Sequence, residues 1–215
     1  MPLAQLETPP ARPQAAWLAV LVLPLALNDF AYMRAATAPE WLAWDYVSKA
    51  APLALALAVP GLRRTLGAGM PLARPVWECA LWSAGAVGVV LALYFHLKVP
   101  LDQVFPETML FSFPGLEQRT LFWFDVTAGL ALTAVSEEVI FRGLFRSVVE
   151  RLGGGRAAVV VASSLVFALV HWSNGVGNLV FTFLAGAVLM ALYLRTGSLA
   201  PPILAHHAVD AALFA

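Results

Sequence analysis

Long runs of apolar residues, separated by short polar stretches, fill most of the chain. A helix of about 20 residues crosses the roughly 30 Å hydrocarbon layer of a bilayer, where only helices and closed barrels satisfy their backbone polar groups. We therefore predict an all-α fold, a polytopic transmembrane helical bundle with about seven spans. The predicted spans occupy residues 15–33, 43–61, 76–97, 122–145, 157–172, 179–195 and 199–214.

Composition supports a membrane protein. Hydrophobic residues make up 60% of the 215 residues and charged residues 12%, whereas a soluble domain is about 25% charged. The formal net charge of zero argues against a nucleic-acid partner and leaves the lipid bilayer as an expected one. The single cysteine excludes an intrachain disulfide and a cysteine metal site. We predict one integral membrane domain over 1–215, with N-terminal spans and an outside loop in 1–120 and the candidate motifs in 121–215.

The distribution of basic residues predicts the orientation of the bundle. With a cytoplasmic N-terminus, Arg34, Lys98 and Arg119 fall outside and nine other basic residues fall inside, as the positive-inside rule favours. The inside residues are Arg12, Arg63, Arg64, Arg74, Arg142, Arg146, Arg151, Arg156 and Arg195. Because arginine far outnumbers lysine and alanine is abundant, as in GC-rich bacterial genomes, we expect a multi-pass protein of the bacterial inner membrane.

The outside loop 98–121 contains three prolines and several aromatic residues. We interpret it as an ordinary connection with interfacial aromatic side chains, in preference to a partial lid over the bundle.

Ionisable residues inside the apolar spans are costly, so each one marks either a structural pair or a functional site. Glu138 and Arg142 lie four residues apart in the order that favours a helical ion pair, and we predict a structural role for both. Asp45 and Lys49 are predicted to pair in the same way. Glu137 has no such partner, and a buried carboxylate without a counter-ion suits a general base. We therefore predict that Glu137 is catalytic.

His171 is the second candidate, although a lone histidine near a helix end is more often interfacial. Gly154 marks the centre of the turn between spans four and five, and Glu137 and His171 each lie 17 residues from it. In an antiparallel hairpin of unbroken helices, equal distances from the turn mean equal depth, about 25 Å from its tip. We therefore expect Glu137 and His171 to face each other, provided that span four continues as a helix through residues 141–152.

The last span contains the third group of candidates. Pro201 and Pro202 open or kink this helix. His206 and Asp210, four residues apart, share one of its faces, and their presence in an apolar span is hard to explain by packing alone.

One free carboxylate, two histidines and a further carboxylate form a set suited to hydrolysis. Glu137 and His171 could activate water while His206 stabilises an oxyanion. The alternative is a divalent metal such as zinc held by Glu137, His171 and His206. The chain has neither the His-Glu-x-x-His motif of common zinc proteases nor a Gly-x-Gly-Asp motif of aspartyl intramembrane proteases.

The three segments resemble the CPBP family, the CAAX-prenyl-endopeptidase and bacteriocin-processing intramembrane proteases. The family pattern appears as Glu137-Glu138-x-x-x-Arg142, then Phe167-x-x-x-His171, then His206-x-x-x-Asp210, and the resemblance covers about residues 120–215. It implies a glutamate-dependent, metal-independent peptidase without a cofactor, in which Glu137 and His171 activate water and His206 with residue 210 forms the oxyanion site. Asp210 departs from the asparagine usual in CAAX members, and an ionised aspartate cannot donate a hydrogen bond to an oxyanion.

The expected substrate is a membrane-associated protein or peptide, with removal of C-terminal sorting tails as one family activity that suits a short bacterial chain. A non-catalytic peptide-binding or immunity protein of the same fold is the alternative. A transporter is a third interpretation, which the apparent confinement of the charges to three C-terminal segments disfavours.

Overall fold

A computed structural model describes residues 11–111 and 115–214. Within this part of the chain the structure contains eight α-helices and no β-strand, which confirms the all-α prediction. The helices are α1 (Ala11–Tyr32), α2 (Ala38–Ala58), α3 (Pro60–Gly69), α4 (Val76–Val104), α5 (119–151), α6 (Arg156–Leu169), α7 (Gly175–Thr196) and α8 (Ala200–Phe214).

Three of the described helices are long and apolar enough to cross a membrane: α1 over Pro13–Tyr32, α4 and α7. Helices α2 and α3 pass the same test only together. Apolar side chains project outward, as Trp77 and Leu81 of α4 show with exposures of 67% and 65%. Such side chains suit contact with lipid, and the chain is an integral membrane protein. The seven spans and the cytoplasmic N-terminus stay predictions.

A bend of 98° separates α2 from α3, where the sequence predicts one continuous span over 43–61. Val59 at the bend is extended (φ −80°, ψ 113°), which is the conformation that a following proline favours. The buried Leu62 and Leu66 direct one face of α3 against the Val139–Leu144 segment of α5. The second predicted span therefore ends early, and its last residues turn along the base of the site helix.

Helix α5 carries Glu137 and Glu138 and continues to Arg151, as the hairpin argument requires. It contains two π-helical turns, Asp125–Gly129 and Val139–Leu144, and the second begins directly after Glu138. The hydroxyl of Ser163 on α6 donates to the Phe141 carbonyl within that turn at 2.7 Å. π-Turns widen a helix locally and are frequent at functional sites. Here the α6 hydroxyl holds the widened turn in place.

The core surrounds the middle of α5. Ile140 and Phe141 are completely buried, together with Leu21 of α1 and Met190 of α7. This packing holds the Glu137–Arg142 segment inside the bundle rather than against lipid.

Candidate active site

A cavity of about 530 Å³ lies at the end of the bundle where α1 finishes and α2 begins. Three of the four predicted catalytic residues line it: Glu137 of α5, His171 of the α6–α7 connection and Asp210 of α8. The fourth, His206, is not among its described lining residues and lies behind Glu137 and Asp210. The structure thus places all four predicted residues in one region.

Glu137 is 6% exposed, and its Oε2 has no hydrogen-bond partner among the described residues. The nearest charged neighbour of this oxygen that the structure gives is the Nε2 of His206, at 3.8 Å. Since a buried acceptor is normally hydrogen-bonded, an unpaired carboxylate oxygen beside a cavity is placed to take a proton from a molecule inside it.

Glu138 is fully buried and forms the predicted ion pair with Arg142, with 3.1 Å between Oε2 and Nε. The guanidinium of Arg142 also stacks on the Phe167 ring, 4.3 Å from its centroid. The second oxygen of Glu138, Oε1, accepts from the Nδ1 of His206 at 2.8 Å. Glu138 therefore joins the α5 motif to the α8 motif, a link that the sequence does not predict.

His206 is held between carboxylates on both sides of its ring. Because its Nδ1–H donates to Glu138, its Nε2 faces Asp210 Oδ2 at 3.4 Å and Glu137 Oε2 at 3.8 Å. Helix α8 begins at Ala200 with Pro201 and Pro202 in its first turn, where a missing backbone N–H costs nothing. This start brings His206 and Asp210, one turn apart, onto the face that meets α5.

His171 lies two residues after α6 ends at Leu169. Its Nδ1 is 2.7 Å from the Phe167 carbonyl, which can only accept, so this nitrogen carries the proton and Nε2 is the acceptor in a neutral ring. The equal-depth argument requires two regular, unbroken helices, and this condition is not met, because α6 stops before His171 and α5 has a π-turn after Glu138. The equal-depth arithmetic therefore fails, although His171 and Glu137 still line the same cavity.

The N-terminal helices contribute polar residues that the motif analysis missed. Asp29 of α1 accepts a hydrogen bond from Ser173 at 2.7 Å, beside the His171 segment. Asp45 and Lys49 of α2 form their predicted ion pair and line the cavity. The expectation that the charges are confined to three C-terminal segments is therefore wrong. The sequence feature that could have identified these residues is the single aspartate in each of two apolar runs. A carboxylate in an apolar run is costly, and the same argument identified Glu137.

Part of the loop predicted to lie outside covers the end of the cavity. The backbone N–H groups of Leu110 and Phe111 donate to the Ser173 carbonyl at 2.8 and 3.2 Å, and Asn174 donates back to the Phe111 carbonyl at 3.2 Å. Met109 and Phe111 line the cavity. The partial lid, which the sequence interpretation ranked second, thus describes this stretch better than an ordinary connection does.

The fit of the site to a metal ion is poor. No group of three or more His, Cys, Asp or Glu side chains in the described part of the chain is arranged to hold one. The alternative ligand set of Glu137, His171 and His206 is thus not gathered around a common point, because His206 is turned towards Glu138 and Asp210.

The fold and the site define an all-helical membrane protein in which carboxylates and histidines meet beside a cavity inside the bundle. Residues 119–212, which contain all three motifs, match the family model described as type II CAAX prenyl endopeptidase Rce1-like. This match agrees with the resemblance of the three motifs to the CPBP family, and it points to an intramembrane protease. No curated protein and no solved structure matches the chain.

Proposed function

We propose that the protein is an intramembrane endopeptidase that hydrolyses a peptide bond of a membrane-associated protein or peptide. The observation that carries the proposal is the unpaired Oε2 of Glu137 in a cavity that His171 and Asp210 also line. The family match over 119–212 supports the same activity.

Glu137 and His171 activate the attacking water. The Nε2 of His171 accepts a hydrogen bond from the water and orients it, and the carboxylate of Glu137 takes its proton. The water oxygen bonds to the scissile carbonyl carbon while the π electrons move to the carbonyl oxygen, which becomes an oxyanion. When the C–N bond breaks, Glu137 returns its proton to the amine that leaves.

His206 supports the oxyanion. Its Nδ1–H is committed to Glu138, whereas its Nε2 makes only the longer contacts to Asp210 and Glu137. A proton on Nε2 is therefore available to an oxyanion that forms beside Glu137. Asp210 acts through His206 by orienting the ring and favouring its protonated form, a role that an aspartate fulfils without being a donor.

Substrate class and location follow from the surroundings of the site. The cavity lies within a membrane-embedded bundle, so a substrate reaches it from the bilayer or from its surface. We propose exported proteins with C-terminal sorting tails as substrates and the bacterial inner membrane as the location.

The experiment compares the C-termini of membrane proteins from cells that express the wild type and cells that express Glu137→Gln. We expect specific shortened C-termini to disappear in the variant, because the amide cannot take a proton from water. Glu150→Gln, which alters a half-exposed glutamate of the same helix that pairs with Arg146, is the matched control and should leave the set unchanged. An identical set in wild type and Glu137→Gln contradicts the proposal and favours the non-catalytic peptide-binding or immunity protein.

Metal dependence needs a separate measurement on the purified full-length protein. We propose that no cofactor is needed, so cleavage of a peptide that spans a mapped site should persist in an excess of chelator. Loss of cleavage in chelator, restored by zinc, would instead support the metal-dependent alternative.

A further inference from the structure

The proposed hydrolysis places a negative charge on the substrate carbonyl oxygen, and the motif residues offer few donors for it. His206 provides one N–H, and Asp210 provides none when it is ionised. Oxyanion sites work through several donors aimed at the developing charge. A complete oxyanion site therefore needs a further donor from another wall of the cavity.

Lys49 lies on such a wall. It belongs to α2, which packs along the Leu130–Glu138 segment of α5, and it lines the same cavity as Glu137. The residue is only 8% exposed. Its ammonium group interacts electrostatically with the carboxylates of both Glu137 and Asp210. Lys49 therefore lies in the electrostatic field of the two carboxylates beside which the proposed hydrolysis takes place.

The position of the ammonium group is fixed from one side. Lys49 donates to Oδ1 of Asp45 at 2.5 Å, and the Tyr32 hydroxyl donates to the same oxygen at 2.5 Å. An ammonium group has three N–H bonds, and Asp45 accepts the hydrogen bond that the structure shows. The remaining donor capacity of Lys49 is available to the cavity.

Lys49 differs in its position from the other lysine of the cavity. Among the described residues that line it, the permanent cations are Lys49 and Lys98. Lys98, six residues before the end of α4, pairs with Asp102. This pair lies beside Gly177, near the start of α7. Lys49 instead lies on α2, which packs against the helical segment that carries Glu137.

We propose that Lys49 is a catalytic residue, the second donor to the oxyanion, and that Asp45 and Tyr32 position it. The inference rests on the proposed peptidase activity. As water attacks, its proton moves to Glu137 and the negative charge moves from that carboxylate to the substrate oxygen. Lys49 stabilises the charge on the substrate oxygen with a direct N–H hydrogen bond, and His206 donates the other hydrogen bond. The net charge of the site does not change during the step.

The plain alternative is a structural ion pair in which Lys49 only neutralises Asp45. Removing one partner of a buried pair leaves an uncompensated charge, whereas replacing both partners is often neutral for stability. The test therefore uses the double substitution Asp45→Asn/Lys49→Gln in the full-length protein. The probe is a fluorogenic peptide that spans a cleavage site mapped in the Glu137→Gln comparison.

We expect the double variant to remain folded and to lose roughly 10²–10³-fold in kcat, the typical effect of removing one oxyanion donor, with KM changed only a few fold. A phosphonate analogue of the same peptide, tetrahedral and negatively charged, should bind correspondingly more weakly. Should the double variant fail to fold, Lys49→Arg keeps the charge but moves the donors, and its kcat should still fall more than tenfold.

Arg146→Gln/Glu150→Gln removes an ion pair of the same four-residue spacing that does not line the cavity, and it is the matched control, expected to retain kcat within about threefold. A folded Asp45→Asn/Lys49→Gln variant with the kcat of the wild type would overturn the assignment. A loss expressed only in KM would also overturn it, because Lys49 would then bind an anionic group of the substrate. If the wild type cleaves no peptide, the proposed peptidase function itself is contradicted. If Glu137→Gln is inactive while the double variant is fully active, only the role of Lys49 fails.

Discussion

At the scale of single residues, the spacing of charges along a helix predicts partners well. Both four-residue pairs expected from the sequence, Glu138–Arg142 and Asp45–Lys49, are present in the structure. The bond from His206 to Glu138 joins residues 68 positions apart, and no local pattern predicts it. Local geometry thus identifies which carboxylate is neutralised, while only the fold shows that this carboxylate also anchors the last helix.

Arg142→Met should destabilise the protein much more than Glu137→Gln does. The first substitution leaves the fully buried Glu138 without its cation, at a cost of about 3–5 kcal/mol, whereas Glu137 already has an unpaired oxygen. Thermal and denaturant unfolding of the purified variants in detergent measures the difference. A loss of stability in Glu137→Gln as large as that in Arg142→Met would mean that Glu137, rather than Glu138, is the structural carboxylate.

At the scale of elements, the apolar pattern locates the helices but not their deformations. A described helix covers most of each predicted span, yet the 98° bend after α2 and the π-turns of α5 do not follow from the pattern. The bend has a local cause in Pro60, whereas the π-turn after Glu138 is held by Ser163 from another helix. Tertiary contacts therefore decide the register of the motif, and this is why the equal-depth argument fails.

Ser163→Ala should lower the free energy of unfolding by about 1–3 kcal/mol, because the substitution leaves the Phe141 carbonyl of the π-turn without the hydroxyl donor from α6. The adjacent Ser164 is an unusually close control, since it is fully buried and its hydroxyl has no partner within the described residues. Ser164→Ala should therefore change the stability by less than about 0.5 kcal/mol. Equal losses in both variants would show that α6 packing, not the hydroxyl, supports the turn.

At the scale of the whole molecule, the site is built by both halves of the chain. The C-terminal motifs supply Glu137, His171, His206 and Asp210, and the sequence identifies them because their pattern is shared with a family. Another part of the wall comes from α1 and α2, where Asp29 is the single charged residue of its apolar run and Lys49 is paired with Asp45. Their relation to the motifs depends on helix packing across more than 80 positions of sequence, which neither hydropathy nor local charge spacing encodes.

The orientation of the whole bundle can be measured because its two ends carry exposed positions. Leu110, 59% exposed, lies on the loop that covers the cavity, and Leu152, 64% exposed, lies in the turn between α5 and α6. In a background in which the buried Cys79 is replaced by alanine, Leu110→Cys should react with a membrane-impermeant maleimide on intact spheroplasts. Leu152→Cys should react only after the membrane is permeabilised.

This labelling pattern follows from a cytoplasmic N-terminus, which puts arginine-rich segments inside and the mouth of the cavity outside. The reverse pattern would place Glu137 and its cavity on the cytoplasmic side, where the tails of exported proteins cannot reach them, and sorting-tail removal would be excluded while the peptidase chemistry would stand. Labelling of Leu110→Cys from neither side, with normal labelling after denaturation, would show instead that the loop and the 173–176 segment are closed over the cavity in the membrane.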